Sequence, residues 1–215
     1  MSDQNISYCY INYFDTVKGI LKNLITDNDR FVKSRDREYF ESFINAQTPR
    51  ATILTCSDSR IHEHAFDFTP DSDIFMVRNI GNQLHTARGS IYYGINHLNT
   101  PLFLIMGHTG CGAIQAANGD YSGLEPQIRE ELDTIRISKG DPNLNGVVEN
   151  VHNQVDEARE LFKDRIESEA LVVMGTVYDF RNELRNGFGR LNIININGEK
   201  DQTAIIASPL LKDIP

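Results

Sequence analysis

The sequence predicts an α/β fold of three layers, α/β/α, with a mostly parallel central sheet, an antiparallel edge strand and an N-terminal helical arm. Three observations carry this. From Ala51 onward, short apolar runs bounded by Gly, Pro, Asp and Asn recur, each the length of a buried strand. Between them lie longer stretches with apolar residues at three- and four-residue spacing, as expected of crossover helices on a parallel sheet. Before Ala51 the helical spacing occurs without any strand-like run.

Taken in order, Phe14, Val17, Ile20, Leu21 and Leu24 form a first helical stripe, and Phe40, Phe43 and Ile44 a second after the charged run Lys33 to Glu38. These helices make an arm over residues 1–46 that either caps the core or, given its aromatics, docks on a neighbouring subunit. Strands are expected at 51–55, 73–77, 101–106 and 170–176, with helices at 89–98, 124–137 and 147–162. The last run, 191–196, follows a loop, 179–189, too short for a crossover helix, so it reads as an antiparallel edge strand. Residues 138–146 (SKGDPNLNG) form a loop and not a domain linker, because apolar patterning continues on both sides. With no internal repeat, the 215 residues read as a single domain.

Composition narrows the function. The formal charge is -9 and no stretch gathers Lys and Arg into the stripe a phosphate backbone requires, so nucleic acid is not an expected partner. No apolar run approaches the ~20 residues of a bilayer span, and Met1 to Tyr13 is polar without a basic end and apolar segment. A cytoplasmic, membrane-free protein is expected. Three cysteines are an odd number for a disulfide framework and suit metal binding or reactive thiols in a reducing compartment; Cys9 has no partner pattern and reads as structural.

Two clusters carry chemistry. CSDSR, Cys56 to Arg60, falls where the first strand ends, and GHTGCG, Gly107 to Gly112, where a later strand ends. Ligands gather at the carboxyl ends of strands in open α/β sheets, so these distant segments can converge. Cys56, His108 and Cys111 together offer two thiolates and an imidazole, the donors zinc prefers in a tetrahedral site. Singly, each has a plain explanation: a lone buried Cys is more often an apolar filler, and His-x-x-Cys at a turn arises by chance. Asp58 and Arg60 beside them shift the balance.

CSDSR followed by GHTGCG resembles the β-class carbonic anhydrases. IFMVRNIGN (74–82), SIYYGINHL (90–98), VVENVHNQV (147–155) and VMGTVYD (173–179) extend the resemblance over about 47–198. It implies one zinc ion per chain held by Cys56, His108 and Cys111, which activates water to hydrate carbon dioxide reversibly to bicarbonate and a proton. It also implies tightly associated dimers or higher even-numbered homo-oligomers. Asp58 would accept a hydrogen bond from the active water while Arg60 keeps it ionised and oriented; in a closed state Asp58 could instead become a fourth ligand. The implied substrate pocket comprises Gln47, Phe75, Ile80 and Tyr93, with Gln47 and Tyr93 reaching across the dimer, although Phe75 and Ile80 fit core packing equally well. Gly112, with Gly110, lets the backbone approach and offers an N–H to the bound anion, or only shapes the turn. His97 sits where some relatives pass protons outward, yet a solvated surface role fits it better, as it does His62, His64, His85 and His152.

Departures qualify the transfer. Some bacterial members bind inhibitory bicarbonate through a Trp three residues before the first Cys, with an Arg and a Tyr. Here Ile53 stands at the first position beside Arg78 and Tyr178, and the chain has no Trp, so that inhibition is not expected. Tyr92 replaces the family's usual Glu. Two other readings remain at this level: hydrolysis of carbonyl sulfide or carbon disulfide on the same fold, and a non-catalytic protein whose zinc is a structural staple closed by Asp58.

Overall fold

The computed structural model describes residues 17–140 and 143–213; Cys9, Phe14 and the polar start at 1–13 lie outside the described residues. The five apolar runs become β1 (Ala51–Cys56), β2 (Ile74–Asn79), β3 (Leu102–His108), β4 (Val172–Asp179) and β5 (Arg190–Ile196), joined in one sheet of order β2-β1-β3-β4-β5. β1 runs parallel to β2 and β3, β3 parallel to β4, and β5 antiparallel to β4 at the edge. The α/β class, the mostly parallel sheet and the antiparallel edge strand are all present. β1 is buried from Thr52 to Cys56 and β3 from Phe103 to His108. Burial on both faces explains why they read as continuous apolar runs and not as alternations.

The helices are α1 (Val17–Lys33), α2 (Arg37–Glu41), α3 (Leu84–Tyr92), α4 (Gly112–Asn118), α5 (Pro126–Leu132), α6 (Leu144–Leu161), α7 (Lys163–Glu167) and α8 (Gln202–Ile206), with a π-helical turn, Tyr93–His97, continuing α3. α3, α6 and α8 pack against the sheet. α2 is capped by Asp36, whose carboxylate accepts from Tyr39 N, and stops before Ser42, so Phe43 and Ile44, expected in the second helix, lie beyond it; apolar spacing in so short a window does not separate helix from turn. α3 begins earlier than expected because Leu84, Ala87 and Ile91 share its buried face. α5 is shorter than 124–137, and α6 takes the last three residues of the SKGDPNLNG loop. α4, α7 and α8 escaped the sequence reading because helices this short hold too few turns to show a period.

The contact pattern divides the chain after Gln47. In the first unit α1 buries none of its residues, and Phe31, Tyr39 and Phe43 pack edge to face, with Tyr39 4.9 Å from Phe43. In the second unit α6 lies across β3 and β4, and α3 across β1 and β2. Val147, Val151, Val155 and Ala158 form the buried stripe of α6. A Cβ on Gly175 of β4 would stand 2.8 Å from Val151 Cγ1 and 2.9 Å from Val155 Cγ2, so this close approach needs glycine. His152, on the same helix, corrects an expectation. It is half-buried and accepts a hydrogen bond at Nδ1 from Asn195 Nδ2 at 3.0 Å, because α6 turns it toward β5; His62, His64 and His85 are exposed as expected.

Candidate metal centre

From β1 the chain crosses to β2 on one side and then returns to β3 on the other, so the carboxyl ends of β1 and β3 border a topological switch point, where α/β folds collect ligands. Cys56 ends β1 and His108 ends β3. Thr55 pairs with Met106, which brings the two ends nearly level. Thr109 and Gly110 then turn the chain to place Cys111 at the start of α4.

All three expected ligands are buried, and their donor atoms lie within 4.8 Å of one another. Cys56 Sγ and Cys111 Sγ are 3.9 Å apart. Two thiolates at ~2.3 Å from one tetrahedral zinc would stand ~3.8 Å apart, so the pair fits without rearrangement. His108 Nδ1 lies 3.2 Å from Thr109 O, which fixes the proton on Nδ1 and turns the Nε2 lone pair inward. Nε2 is buried with no hydrogen-bond partner, an arrangement costing ~1–3 kcal/mol unless a ligand such as a metal satisfies it.

Of the two sulfurs, that of Cys56 is prepared for negative charge. The Cys56 thiol is drawn well below its usual value, first by the hydrogen bond from Cys111 and further by the backbone N–H groups of Gly81 and Asp58, against the opposing effect of burial. Cys111 is pushed up by the facing Cys56 sulfur and by burial, while the N–H groups of Ile114 and Ala113 at the start of α4 act in the favourable direction. A divalent cation between the sulfurs would favour both thiolates.

Asp58 and Arg60 meet as expected. Arg60 Nε donates to Asp58 Oδ1 at 2.9 Å and Nη2 to Oδ2 at 2.6 Å, the bidentate geometry of a strong pair. Arg60 N adds a third bond at 3.0 Å and Nη2 reaches Gly110 O at 3.2 Å, linking the two motifs. This pairing holds the Asp58 carboxyl well below the usual carboxylate range. Asp58 Oδ2 is 3.9 Å from His108 Nε2, and both of its oxygens are engaged by Arg60 and not by the ligand cluster.

The expected pocket residues divide. Ile80 follows Asn79, the partner of Cys56 in the sheet, and Gly112 follows Cys111, so both stand at the metal end. Phe75 pairs with Thr52, four residues or ~13 Å along β1 from Cys56. Its ring packs 5.7 Å from Tyr93, which in turn lies 4.6 Å from the exposed His97. Phe75 and Tyr93 therefore meet each other away from the ligands of their own chain, and exposed Gln47 ends the first unit. A Cβ on Gly112 would meet nothing within 4 Å, so packing does not demand glycine there. A cavity of about 920 Å³ lies elsewhere, lined by Arg88, Arg136 and Glu157 among others.

The sequence model of a family described as carbonic anhydrase matches residues 51–184, from the first strand through both motifs. The chain belongs to the carbonic anhydrase family. Carbonic anhydrase 2 of Mycobacterium tuberculosis is 28% identical over 194 residues, covering 79% of this chain and 93% of the relative. Among solved structures, a β-carbonic anhydrase of Coccomyxa in complex with acetazolamide superposes with a TM-score of 0.67 at 21% identity, covering 90% of this chain and 92% of that one. A tetrameric β-carbonic anhydrase of Sordaria macrospora gives 0.65 at 21% identity, over 82% and 97%.

Some supporting residues went unrecognised in the sequence. Asn150 Nδ2 donates to Gly81 O at 3.0 Å, Gln83 Nε2 to Asn150 Oδ1 at 2.9 Å, and Leu84 N to Gln154 Oε1 at 2.7 Å. This buried network ties α6 to the turn whose Gly81 N–H faces Cys56. The signal was present as polar residues inside the apolar stripe of 147–155. Arg78 donates to Cys56 O at 3.1 Å and Asp58 O at 2.7 Å, so it braces the first motif; Ile53 is buried in the core. Tyr92, the departure in SIYYG, packs 5.0 Å from Phe162.

Proposed function

We propose that this chain hydrates carbon dioxide reversibly to bicarbonate and a proton. The observation that carries this reading is the buried Cys56–His108–Cys111 cluster with Asp58 held beside it by Arg60, in a member of the carbonic anhydrase family. Cys56, His108 and Cys111 would hold zinc, and zinc when bound supplies the Lewis acidity that makes water a nucleophile near neutral pH.

The chain's own residues do the rest. Asp58, ionised because Arg60 keeps its carboxyl low, only accepts hydrogen bonds, so it takes one from the attacking water and aims a lone pair at the substrate carbon. The Gly112 N–H is the donor assigned to the product oxyanion. Ile80 forms an apolar wall at the metal end. Phe75 and Tyr93 pack too far along β1 to serve the ligands of their own chain, which supports a site completed by a second copy, with Gln47 as the amide donor. The exposed apolar residues of α1, Ile20, Leu21 and Leu24 among them, are the surface such an even-numbered assembly would cover. No described helix is long and apolar enough to cross a membrane, and two thiol ligands suit a reducing compartment such as the cytoplasm.

Stopped-flow hydration of carbon dioxide, with zinc measured per chain, tests the reading. The wild type should turn over with one zinc per chain, and Cys56→Ser should lose both zinc and activity. A zinc-replete wild type that leaves carbon dioxide unhydrated would overturn it.

A further inference from the structure

The last residue of β4 and the two that follow it each meet the metal loop at a different point. Asp179 is fully buried; its Oδ1 accepts from Thr109 Oγ1 at 3.2 Å and from Arg181 N at 3.0 Å, and its Oδ2 from Leu184 N at 2.8 Å. One carboxylate thus turns the 180–184 segment and pins it to the residue after His108. The guanidinium of Arg181 lies over Gly110, whose φ is +69°; a Cβ there would come within 2.6 Å of Arg181 Nη2. Between them stands Phe180. Its ring centroid is 5.6 Å from that of His108, edge to face at 75°, and Arg60 Cζ lies 5.0 Å from the same centroid.

We propose that Phe180 is a positioning residue of the metal centre, one ring that sets both the His108 imidazole and the Arg60 guanidinium. The argument starts from what else holds those groups. His108 is hydrogen-bonded at one edge only, through Nδ1 to Thr109 O, which leaves rotation about that bond to be limited by packing; the Phe180 ring blocks it. Arg60 is a long side chain, about half exposed, with enough rotamer freedom to leave Asp58. The electron-rich face of an aromatic ring attracts a guanidinium, whereas an aliphatic group of similar volume only fills the space. Phe180 is itself fixed, by the Asp179 turn behind it and by Tyr178, whose ring packs against it at 4.8 Å. Phe180 touches no reacting atom in this arrangement. It acts through a ligand and through the partner of Asp58, and this deepens the proposed carbon dioxide chemistry without depending on it for every test.

The test uses the zinc-loaded full chain with Phe180→Leu and Phe180→Tyr, alone and with Arg60→Gln. Phe180→Leu should lower kcat for carbon dioxide hydration about three- to tenfold with KM little changed, and should speed zinc loss to a chelator several-fold. Phe180→Tyr should restore both. With Arg60→Gln already present, Phe180→Leu should lower kcat by less than it does in the wild-type background, because one of the two groups through which it acts is gone. Wild-type kcat and zinc release in Phe180→Leu would overturn the proposal, as would a Tyr variant as impaired as the Leu variant, or losses that simply add to Arg60→Gln. Should the wild type hydrate no carbon dioxide, the reaction reading fails by itself, and the zinc-release comparison of the Leu and Tyr variants still decides the role of Phe180.

Discussion

Asp58 and Arg60 make three hydrogen bonds to each other across two residues of chain, and this pair concentrates what a single residue does in the site. The Asp58 carboxyl lies below its ordinary value chiefly through the Arg60 side chain, with burial opposing. A group whose folded value is below the unfolded ~3.9 adds stability that is complete above ~4 and is lost as pH falls toward the folded value. Asp58→Asn should therefore melt below wild type at pH 7, with the gap narrowing in thermal scans taken below ~4. The same substitution presents an amide where the water needs an acceptor, so kcat should fall by about two orders of magnitude while zinc content stays near wild type. The candidate ligands and this dyad were legible in the sequence because thiol, imidazole and carboxylate–guanidinium chemistry belongs to the residue types themselves. Phe180 was not legible, since an aromatic residue after a strand declares its partners only once the loop has folded.

At the scale of elements, α6 against β4 and β5 decides both packing and a pH response. Gly175→Ala places a methyl group against Val151 and Val155 and should cost about 1–3 kcal/mol, read as a lower urea midpoint at unchanged m. Asn195 Oδ1 accepts from Gly198 N at 2.8 Å, which turns Asn195 Nδ2 toward His152 and requires His152 Nδ1 to be unprotonated. Burial lowers the His152 pKa, with Lys200 adding and Asp156 opposing. A histidine depressed in the folded state contributes stability that is full above the unfolded ~6.5 and declines as pH falls through that value. Thermal melting between pH 5 and 8 should show this decline in wild type and a flatter curve in His152→Gln, whose side-chain oxygen accepts from Asn195 at any of these pH values. The period of α6 was readable from sequence, but the placement of His152 against a strand remote in the chain was not, which is why it read as a surface residue.

For the whole molecule, the separation of Phe75 and Tyr93 from the ligands of their own chain is the feature that bears on assembly. If each site takes those rings from a second copy, Cys56→Ser and Tyr93→Ala chains fail separately in opposite halves of the site. Unfolding and refolding a mixture should then restore activity, because in a mixed dimer one centre combines intact ligands with an intact Tyr93. Random pairing of equal amounts makes half the dimers mixed with one good site each, so about a quarter of wild-type activity is expected in stopped-flow assays. Activity no higher than that of the separate variants would place each pocket within one chain.

Alone, the sequence determined the α/β class and the parallel sheet with its antiparallel edge, and it singled out Cys56, His108 and Cys111 as the cluster able to hold a metal. These follow from hydrophobic period and donor chemistry, which are local properties. Tertiary structure decided which helix face met which strand, the level ends of β1 and β3 that bring two sulfurs to 3.9 Å, and the Phe180 ring between His108 and Arg60. Such contacts join residues far apart in the chain, and their geometry is set by packing the whole sheet, so no window of sequence contains it.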